Sequence, residues 1–366
     1  MAVFEPLNKK ELYMERIKIL VVGCGNMGTS HARAYNKLPG FEIVGLVSRT
    51  PQSRERLSDE LGGLPKFDDF KKALTTTRPH AVAISTYPDT HAAYVRESLE
   101  AGAHVFVEKP IALTVEEAEK LVALAKSKNK KLMVGYILRV HPAWTKFVET
   151  AQSLGKPLVM RMNLNQQSSE GQWYTHKQLM QSMSPIVDCG VHYVDIMCLM
   201  TGAKPLSVSA IGARLTDEIS SDMYNYGQLQ VRFDDGSVGW YEAGWGPMIS
   251  ETAFFVKDVI GPGGCVSIVD EKKGDSDDIE GHTKTGGLIL HFSELDSNGK
   301  FIKKDKIINT EDEPDHDGLC LLEQEYFLKS IQNDLDLSNH LSDAVNSLKI
   351  VLAADTSFRT GETVHF

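Results

Sequence analysis

Three short runs in this chain carry residue types that can do chemistry at their spacing. The first is Gly23-Cys24-Gly25-Asn26-Met27-Gly28, which follows the apolar run Ile17 to Val22 and precedes a helical segment reaching Ala34. Gly23 permits a tight turn out of a strand, Gly25 lets the backbone approach a pyrophosphate, and Gly28 lets the helix pack closely on the strand. The amide-rich helix N-terminus then faces the phosphates. That chemistry is dinucleotide binding, with Gly23, Gly25, Asn26, Met27 and Gly28 as cofactor contacts. Cys24 needs only to be small.

The second run is Val105-Phe106-Val107-Glu108-Lys109-Pro110. A buried-type strand delivers a carboxylate and an ammonium at its C-terminal end, where ligands sit in open α/β sheets. Pro110 sets the chain direction and keeps Lys109 out of helical geometry. Beside a nicotinamide, Lys109 could bind a substrate hydroxyl and favour its alkoxide; alone, it could equally be a solvated surface lysine. The third run is Ser184 to Asp195, SPIVDCGVHYVD. If Asp188 to Leu199 is one helix, Asp188 and His192 share a face one turn apart. Val191, Val194 and Met197 supply an apolar face, so His192 reads either as a hydrogen-bonded core histidine or as a proton acceptor oriented by Asp188.

An acid at the end of the second strand would bind the ribose 2′-hydroxyl of NAD. Here that position falls at Ser48-Arg49-Thr50, with no acid. A hydroxyl followed by a guanidinium suits a 2′-phosphate, which favours NADP over NAD with Ser48 and Arg49 as contacts. The alternative is an ordinary loop arginine.

These runs need elements to position them. Apolar strands are predicted over Ile17–Val22, Glu42–Val47, Ala81–Ile84, His104–Val107 and Lys131–Gly135, with helices near Arg54–Leu61, Phe67–Thr75, His91–Ala101 and Val115–Asn129. The last opens on a capping box, Thr114 with Glu117. Alternation of this kind predicts an α/β domain with a doubly wound parallel sheet. Beyond Pro142 longer strands are predicted: Leu158–Asn165, Ser207–Leu215, Tyr224–Phe233, Ser237–Ala243, Ala253–Val259 and Cys265–Val269, with turns at Asp234-Asp235-Gly236 and Gly261-Pro262-Gly263-Gly264. Lys272–Gly287 reads as an exposed loop. Two helices close the chain, one with Leu319, Leu322 and Tyr326 on a face, the other with Ala344, Leu348, Val351 and Leu352. The expected architecture is a Rossmann domain over 1–145, including an N-terminal extension over 1–16, then an α+β domain over 146–366 with a large open, mostly antiparallel sheet.

The 366 residues exceed one comfortable core, and 42% hydrophobic with 24% charged is ordinary for a soluble globular protein. A net charge of −10 with no basic stripe argues against a nucleic-acid partner. No apolar run approaches the roughly 18 residues that span a bilayer. The first 16 residues lack an apolar core and are not a secretory signal. Five cysteines without C-x-x-C spacing point to reduced thiols in a cytoplasm and to no metal site.

Together the GCGNMG loop, EKP at Glu108–Pro110 and the D-x-G-x-H-x-x-D run from Asp188 to Asp195 resemble the Gfo/Idh/MocA family, named for glucose–fructose oxidoreductase and inositol dehydrogenase. The resemblance covers nearly the whole chain; EKP followed by D-x-G-x-H is its most specific part. It implies an NAD(P)-dependent oxidoreductase acting on a sugar, polyol or related carbonyl compound, with the open sheet forming a homodimer or homotetramer interface. It implies that Lys109 is the catalytic lysine and that Asp188 and His192 are the substrate-binding and acid–base pair. Ser85 to Pro88 with His91 matches the family loop passing the nicotinamide ribose, so Thr86 and Tyr87 are expected cofactor contacts beside Glu108 and Lys109. The segment Gly135 to His141 departs from the family's Asn- or Arg-rich pattern. Trp173, in a predicted loop preceding Asp188, could face a sugar ring or anchor a core. Two other functions fit the same fold: a glycosidase using NAD for transient oxidation and elimination, and a non-catalytic NAD(P)-sensing regulator. A complete proton-transfer set argues against the sensor.

Overall fold

The computed structural model describes residues 16–250, 256–269, 285–310 and 313–366. They form two compact units that interleave along the chain. One comprises the chain up to Ile111 with Lys120–Gly135 and Cys320–Leu337; the other comprises Ala112–Glu119, Tyr136–Leu319 and Ser338–Phe366. The sequence reading expects a single cut at 145. What it does not reveal is that a late helix belongs to the first unit.

In chain order the first unit's strands and their helices are β1 (Ile17–Val22), α1 (Asn26–Lys37), β2 (Phe41–Val47), α2 (Pro51–Glu60), β3 (Lys66–Phe67), α3 (Phe70–Thr77), β4 (Ala81–Ile84), α4 (Pro88–Glu100), β5 (His104–Glu108), α5 (Val115–Ser127) and β6 (Leu132–Gly135). The six strands form one sheet in the order β3-β2-β1-β4-β5-β6, every pair parallel. Continuous apolar runs such as Ala81–Ile84 are buried throughout, as a sheet covered on both faces requires. The order reverses between β1 and β4, the switch point at which such sheets bind ligands. Thr114 caps the helix as expected: the Glu117 amide donates to Thr114 Oγ1 at 3.2 Å. The two-residue strand β3 escapes the sequence reading, which starts a helix at Phe67 instead.

The second unit follows with α6 (Pro142–Ser153), β7 (Val159–Gln167), α7 (Glu170–Leu179), α8 (Pro185–Asp188), α9 (Gly190–Thr201), β8 (Pro205–Ala213), β9 (Tyr226–Phe233), β10 (Val238–Gly246), β11 (Lys257–Gly261), β12 (Gly264–Val269), β13 (Gly287–Phe292) and β14 (Lys306–Asn309). Then come α10 (His316–Gln332), which runs into the first unit, α11 (Ser338–Thr360) and β15 (Val364–His365). Nine strands make one sheet, β14-β13-β12-β11-β7-β10-β9-β8-β15, antiparallel except for the parallel pair β7 and β10. Along β7, Val159 and Arg161 are open while Met160 and Met162 are buried, the period-two signature of a sheet with one covered face. The fold is α/β, a parallel Rossmann sheet followed by a mixed, mostly antiparallel one.

Several expectations need correction. Asp188 to Leu199 is not one helix: Asp188 ends α8, and α9 starts at Gly190. Cys189 between them keeps helical dihedrals (φ −86°, ψ −38°), so the direction barely changes. Trp173 lies in helix α7 rather than a loop. On α10, Leu319 is buried but Tyr326 is 37% exposed; from Cys320 onward the buried positions are Cys320, Glu323, Gln324, Phe327 and Ser330. Strands β13, β14 and β15 were not expected. Of the predicted 272–287 loop, residues up to 284 lie outside the described residues, as do 253–255 of the predicted strand and the extension over 1–15; Thr285 is buried and Gly287 opens β13.

Candidate functional site

The first unit gathers its predicted residues on one edge of the sheet. Gly23 follows β1, Ser48 follows β2, Ser85 follows β4 and Lys109 follows β5, and because these strands are parallel all four emerge on the same side. The loop is tied down by its backbone, with Gly23 N–H donating to Val47 O at 2.8 Å and Ser85 N–H to Val22 O at 2.7 Å. Gly23 has φ +100°, and a Cβ there would stand 2.1 Å from Ser85 O. A Cβ on Gly25, by contrast, would meet nothing within 4 Å. Gly25 caps α1 without a side-chain hydrogen bond, and the first turn holds no acid. An uncapped helix start beside a bare backbone is a fitting cradle for a pyrophosphate. Asn26 is exposed and Met27 half-buried at that opening. Cys24 is buried, and burial pushes its thiol up to about 11, so it stays protonated.

At the end of β2, Ser48 is half-buried and Arg49 exposed. Ser48 Oγ accepts the Thr50 N–H at 3.3 Å and its carbonyl accepts Arg54 Nη1 at 2.6 Å, which fixes the turn that presents Arg49. Tyr87 is 63% exposed. Thr86 is held from behind by His91, whose Nε2 lies 3.0 Å from Thr86 O while Nδ1 lies 2.8 Å from Pro110 O. One buried imidazole thus sits between the β4 loop and the turn after Lys109, and when neutral it donates to one of the two carbonyls. Burial lowers the pKa of His91, opposed by those two carbonyls.

Lys109 is half-buried, and its peptide bond to Pro110 is cis. Its backbone N–H donates to Glu108 Oε2 at 3.2 Å. Glu108 Oε1 lies 2.7 Å from His31 Nε2, a contact made deep in the unit.

Asp188 and His192 belong to the second unit. From Pro185 to Cys198 they are the two positions that stay partly open; every other residue in that stretch is buried. The Tyr136 ring meets His192 edge-on at 5.9 Å, with the Tyr136 hydroxyl 3.1 Å from Ser347 Oγ. Cys189 Sγ lies 3.7 Å from both Asp188 Oδ2 and Gln166 Oε1, and Gln166 also accepts the Trp245 indole N–H at 2.8 Å. Trp245 stacks on His176 at 4.3 Å and 9°. Burial lowers His176 to about 4, with Asp188 as the opposing charge, so near neutrality this imidazole is uncharged. Sequence reasoning missed His176, Gln166 and Tyr136. The signal available was the aromatic-polar run around Trp173, read there as a loop.

Trp173 is 7% exposed; its indole donates to Glu218 Oε1 at 3.2 Å, and Lys177 Nζ lies 5.4 Å from its ring centroid. Asp195, last of the D-x-G-x-H-x-x-D run, is fully buried and takes both prongs of Arg139 at 2.6 and 2.8 Å. Arg139 also donates to Asp343 at 2.7 Å. Asp195 therefore holds the unit together from a place remote from solvent. Among the described residues, the one group of histidine, cysteine and carboxylate ligands close enough to hold a metal is His31, Glu108 and Glu323. No described helix is long and apolar enough to cross a membrane.

Comparison with known proteins agrees with this architecture. Residues 17–136 match the profile of the oxidoreductase family with an NAD-binding Rossmann fold, and residues 148–252 match the Gfo/Idh/MocA C-terminal domain, together more than half of the chain. The chain is 26% identical to scyllo-inositol 2-dehydrogenase (NAD(+)) of Bacillus subtilis, covering 95% of this chain and 96% of that protein. It is 29% identical to UDP-N-acetylglucosamine 3-dehydrogenase of Acidithiobacillus ferrooxidans over 54% of this chain and 59% of that one. In fold it is similar to scyllo-inositol dehydrogenase from Lactobacillus casei with bound NAD(H) and scyllo-inositol, with a TM-score of 0.76 and 21% identity over 96% of this chain and 99% of that one. With a glycine loop, an EKP strand end and both family domains in order, the chain belongs to the Gfo/Idh/MocA family of oxidoreductases.

Proposed function

We propose that this protein is an NAD(P)-dependent dehydrogenase that oxidises a secondary hydroxyl of a sugar or polyol, or reduces the corresponding carbonyl. The observation that carries this reading is the sheet edge on which the open Gly25 cradle and Lys109 lie together. The cofactor, when bound, supplies the hydride acceptor at nicotinamide C4. His192 takes the hydroxyl proton, Lys109 stabilises the developing alkoxide with its ammonium, and Asp188 orients the substrate or the imidazole. Gly23, Gly25, Asn26, Met27 and Gly28 hold the pyrophosphate, and Thr86 and Tyr87 line the nicotinamide side, with Glu108 behind Lys109 and its carboxylate turned to His31. Ser48 and Arg49 favour NADP by the chemistry of a 2′-phosphate, although named relatives use NAD.

The open sheet face supports a homodimer or homotetramer. Register aligns Val238, Val159 and Ile260 in one row across β10, β7 and β11, each more than a third exposed. Burying such a row against a second copy removes apolar area from water. All five cysteines are thiols, which suits a reducing cytoplasm.

The test is a screen of sugars and polyols, inositols included, with NAD and NADP, following absorbance of the reduced nicotinamide. The expected result is cofactor reduction by at least one polyol, lost by orders of magnitude in Lys109→Ala with NADH binding retained. Undiminished turnover in that variant sinks the assignment of Lys109. Release of a leaving group from a glycoside without net NADH would move the function to the glycosidase.

A further inference from the structure

The second unit holds a buried imidazole to which the dehydrogenase reading gives no task. His176 lies three residues after Trp173 on α7, and both are 7% exposed. Trp173 gives its indole N–H to Glu218. No protein group does the same for His176. Its Nδ1 is enclosed and has no hydrogen-bond partner among the described residues. Nε2 has none either, but it is not enclosed, so it is the nitrogen that a ligand reaches. A buried polar group without a bond is costly, and a phenyl ring would stack in the same place without that cost.

The place is beside the carboxylate assigned to substrate. The His176 ring lies flat on Trp245, at 4.3 Å and 9°. Trp245 is in register with Gln166 across the parallel pair β10 and β7, and its indole donates to Gln166 Oε1 at 2.8 Å. The same oxygen lies 3.7 Å from Cys189 Sγ, which in turn lies 3.7 Å from Asp188 Oδ2. His176, Trp245, Gln166, Cys189 and Asp188 are therefore one contiguous group at the carboxyl ends of two parallel strands. The Asp188 charge reaches His176, but burial outweighs it and leaves the ring neutral near pH 7. A neutral imidazole has one N–H and one lone pair, so Nε2 either donates to a hydroxyl or accepts from it. An anionic ligand group, by contrast, would meet the Asp188 carboxylate.

We propose that His176 is a substrate-binding residue: through Nε2 it takes a second hydroxyl of the polyol whose reacting hydroxyl lies at Asp188 and His192. The assignment rests on the dehydrogenase reading and deepens it. The stack on Trp245 fixes the plane of the ring, so the direction of the bond is set before substrate arrives. Selection then works by loss. A substrate without that hydroxyl leaves the imidazole unpaired in a site its own bulk closes to water.

The test compares kcat/KM for the panel polyol oxidised fastest with its singly deoxygenated analogues that keep the reacting hydroxyl. In the wild type one analogue should fall by about tenfold or more, as the loss of a hydrogen bond in a closed site predicts. His176→Phe keeps a ring on Trp245; it should lower kcat/KM for the parent polyol by a similar factor, chiefly through KM, and oxidise that analogue as well as the parent. His176→Gln retains a donor and an acceptor and should recover part of the discrimination. The Kd for NADH should be unchanged in both variants. The wild-type deoxy pattern persisting in His176→Phe, or an equal loss on every analogue, overturns the assignment of His176 alone. No turnover of any polyol overturns the dehydrogenase reading and this assignment with it.

Discussion

The Cβ that Gly28 lacks would stand 2.0 Å from the carbonyl oxygen of Gly23. The first turn of α1 therefore presses directly on the turn that leaves β1, backbone against backbone. Gly28→Ala must displace one of them, and about 1–3 kcal/mol of stability should be lost as for other overpacked sites. Gly25→Ala meets open space and should cost clearly less stability, only glycine's advantage over alanine as a helix cap, yet weaken NADH binding because its methyl occupies the cradle. Thermal melts and fluorescence titration of both variants separate the two roles; equal stability loss in both would contradict the geometry.

Arg49 is the exposed residue presented by the Ser48 turn. Replacing it with Glu should weaken NADPH by about tenfold or more, the worth of a charge-assisted bond, and leave NADH little affected. An unchanged ratio of the two dissociation constants would remove Arg49 from the cofactor site and NADP with it.

His176 makes stability depend on pH. Its folded-state pKa is lowered to about 4 from 6.5 by burial. Between those values the unfolded chain binds a proton that the folded chain refuses, so stability is fully present above about pH 6.5 and is lost as pH falls toward 4. From pH 6.5 to 5 the loss from this one group is about 2 kcal/mol. His176→Phe keeps a ring on Trp245 and should flatten that part of the profile in urea titrations. His104, also lowered to about 4 by burial, leaves a residual slope.

Arg139 neutralises two carboxylates at once, Asp195 and Asp343. Even beside it, burial holds Asp195 at about 6. Arg139→Met should destabilise the protein by about 3–5 kcal/mol, because it strands buried charge. Arg139→Met combined with Asp195→Asn should recover part of that loss; denaturant midpoints measure both.

The parallel sheet was legible because its strands are continuous apolar runs separated by helices, a pattern with few alternative folds. The second sheet was legible only in its middle. Lys306–Asn309 lies in a lysine-rich run, and Val364–His365 is too short to show alternation, so both pair through backbone contacts that composition does not announce. Helix α7 was missed because its buried face is carried by Trp173 and His176, and histidine does not count toward an apolar repeat. The sheet-edge residues were readable from glycine spacing and strand ends. The Glu108 cluster was not, because its partners His31 and Glu323 lie far away in sequence and look like ordinary polar positions on helices.

Phe327 of α10 lies 6.2 Å from Phe41 and 6.0 Å from Phe106, within the same core as Ile19 and Met133. The nucleotide unit thus draws part of its interior from a helix far along the chain from its six strands. Until that helix is made, Phe41 and Phe106 keep Tyr35 and His31 as ring neighbours but lack Phe327, and apolar surface left open in this way invites aggregation. A fragment ending near residue 145, which a linear map of the chain would call a domain, is missing part of its own interior.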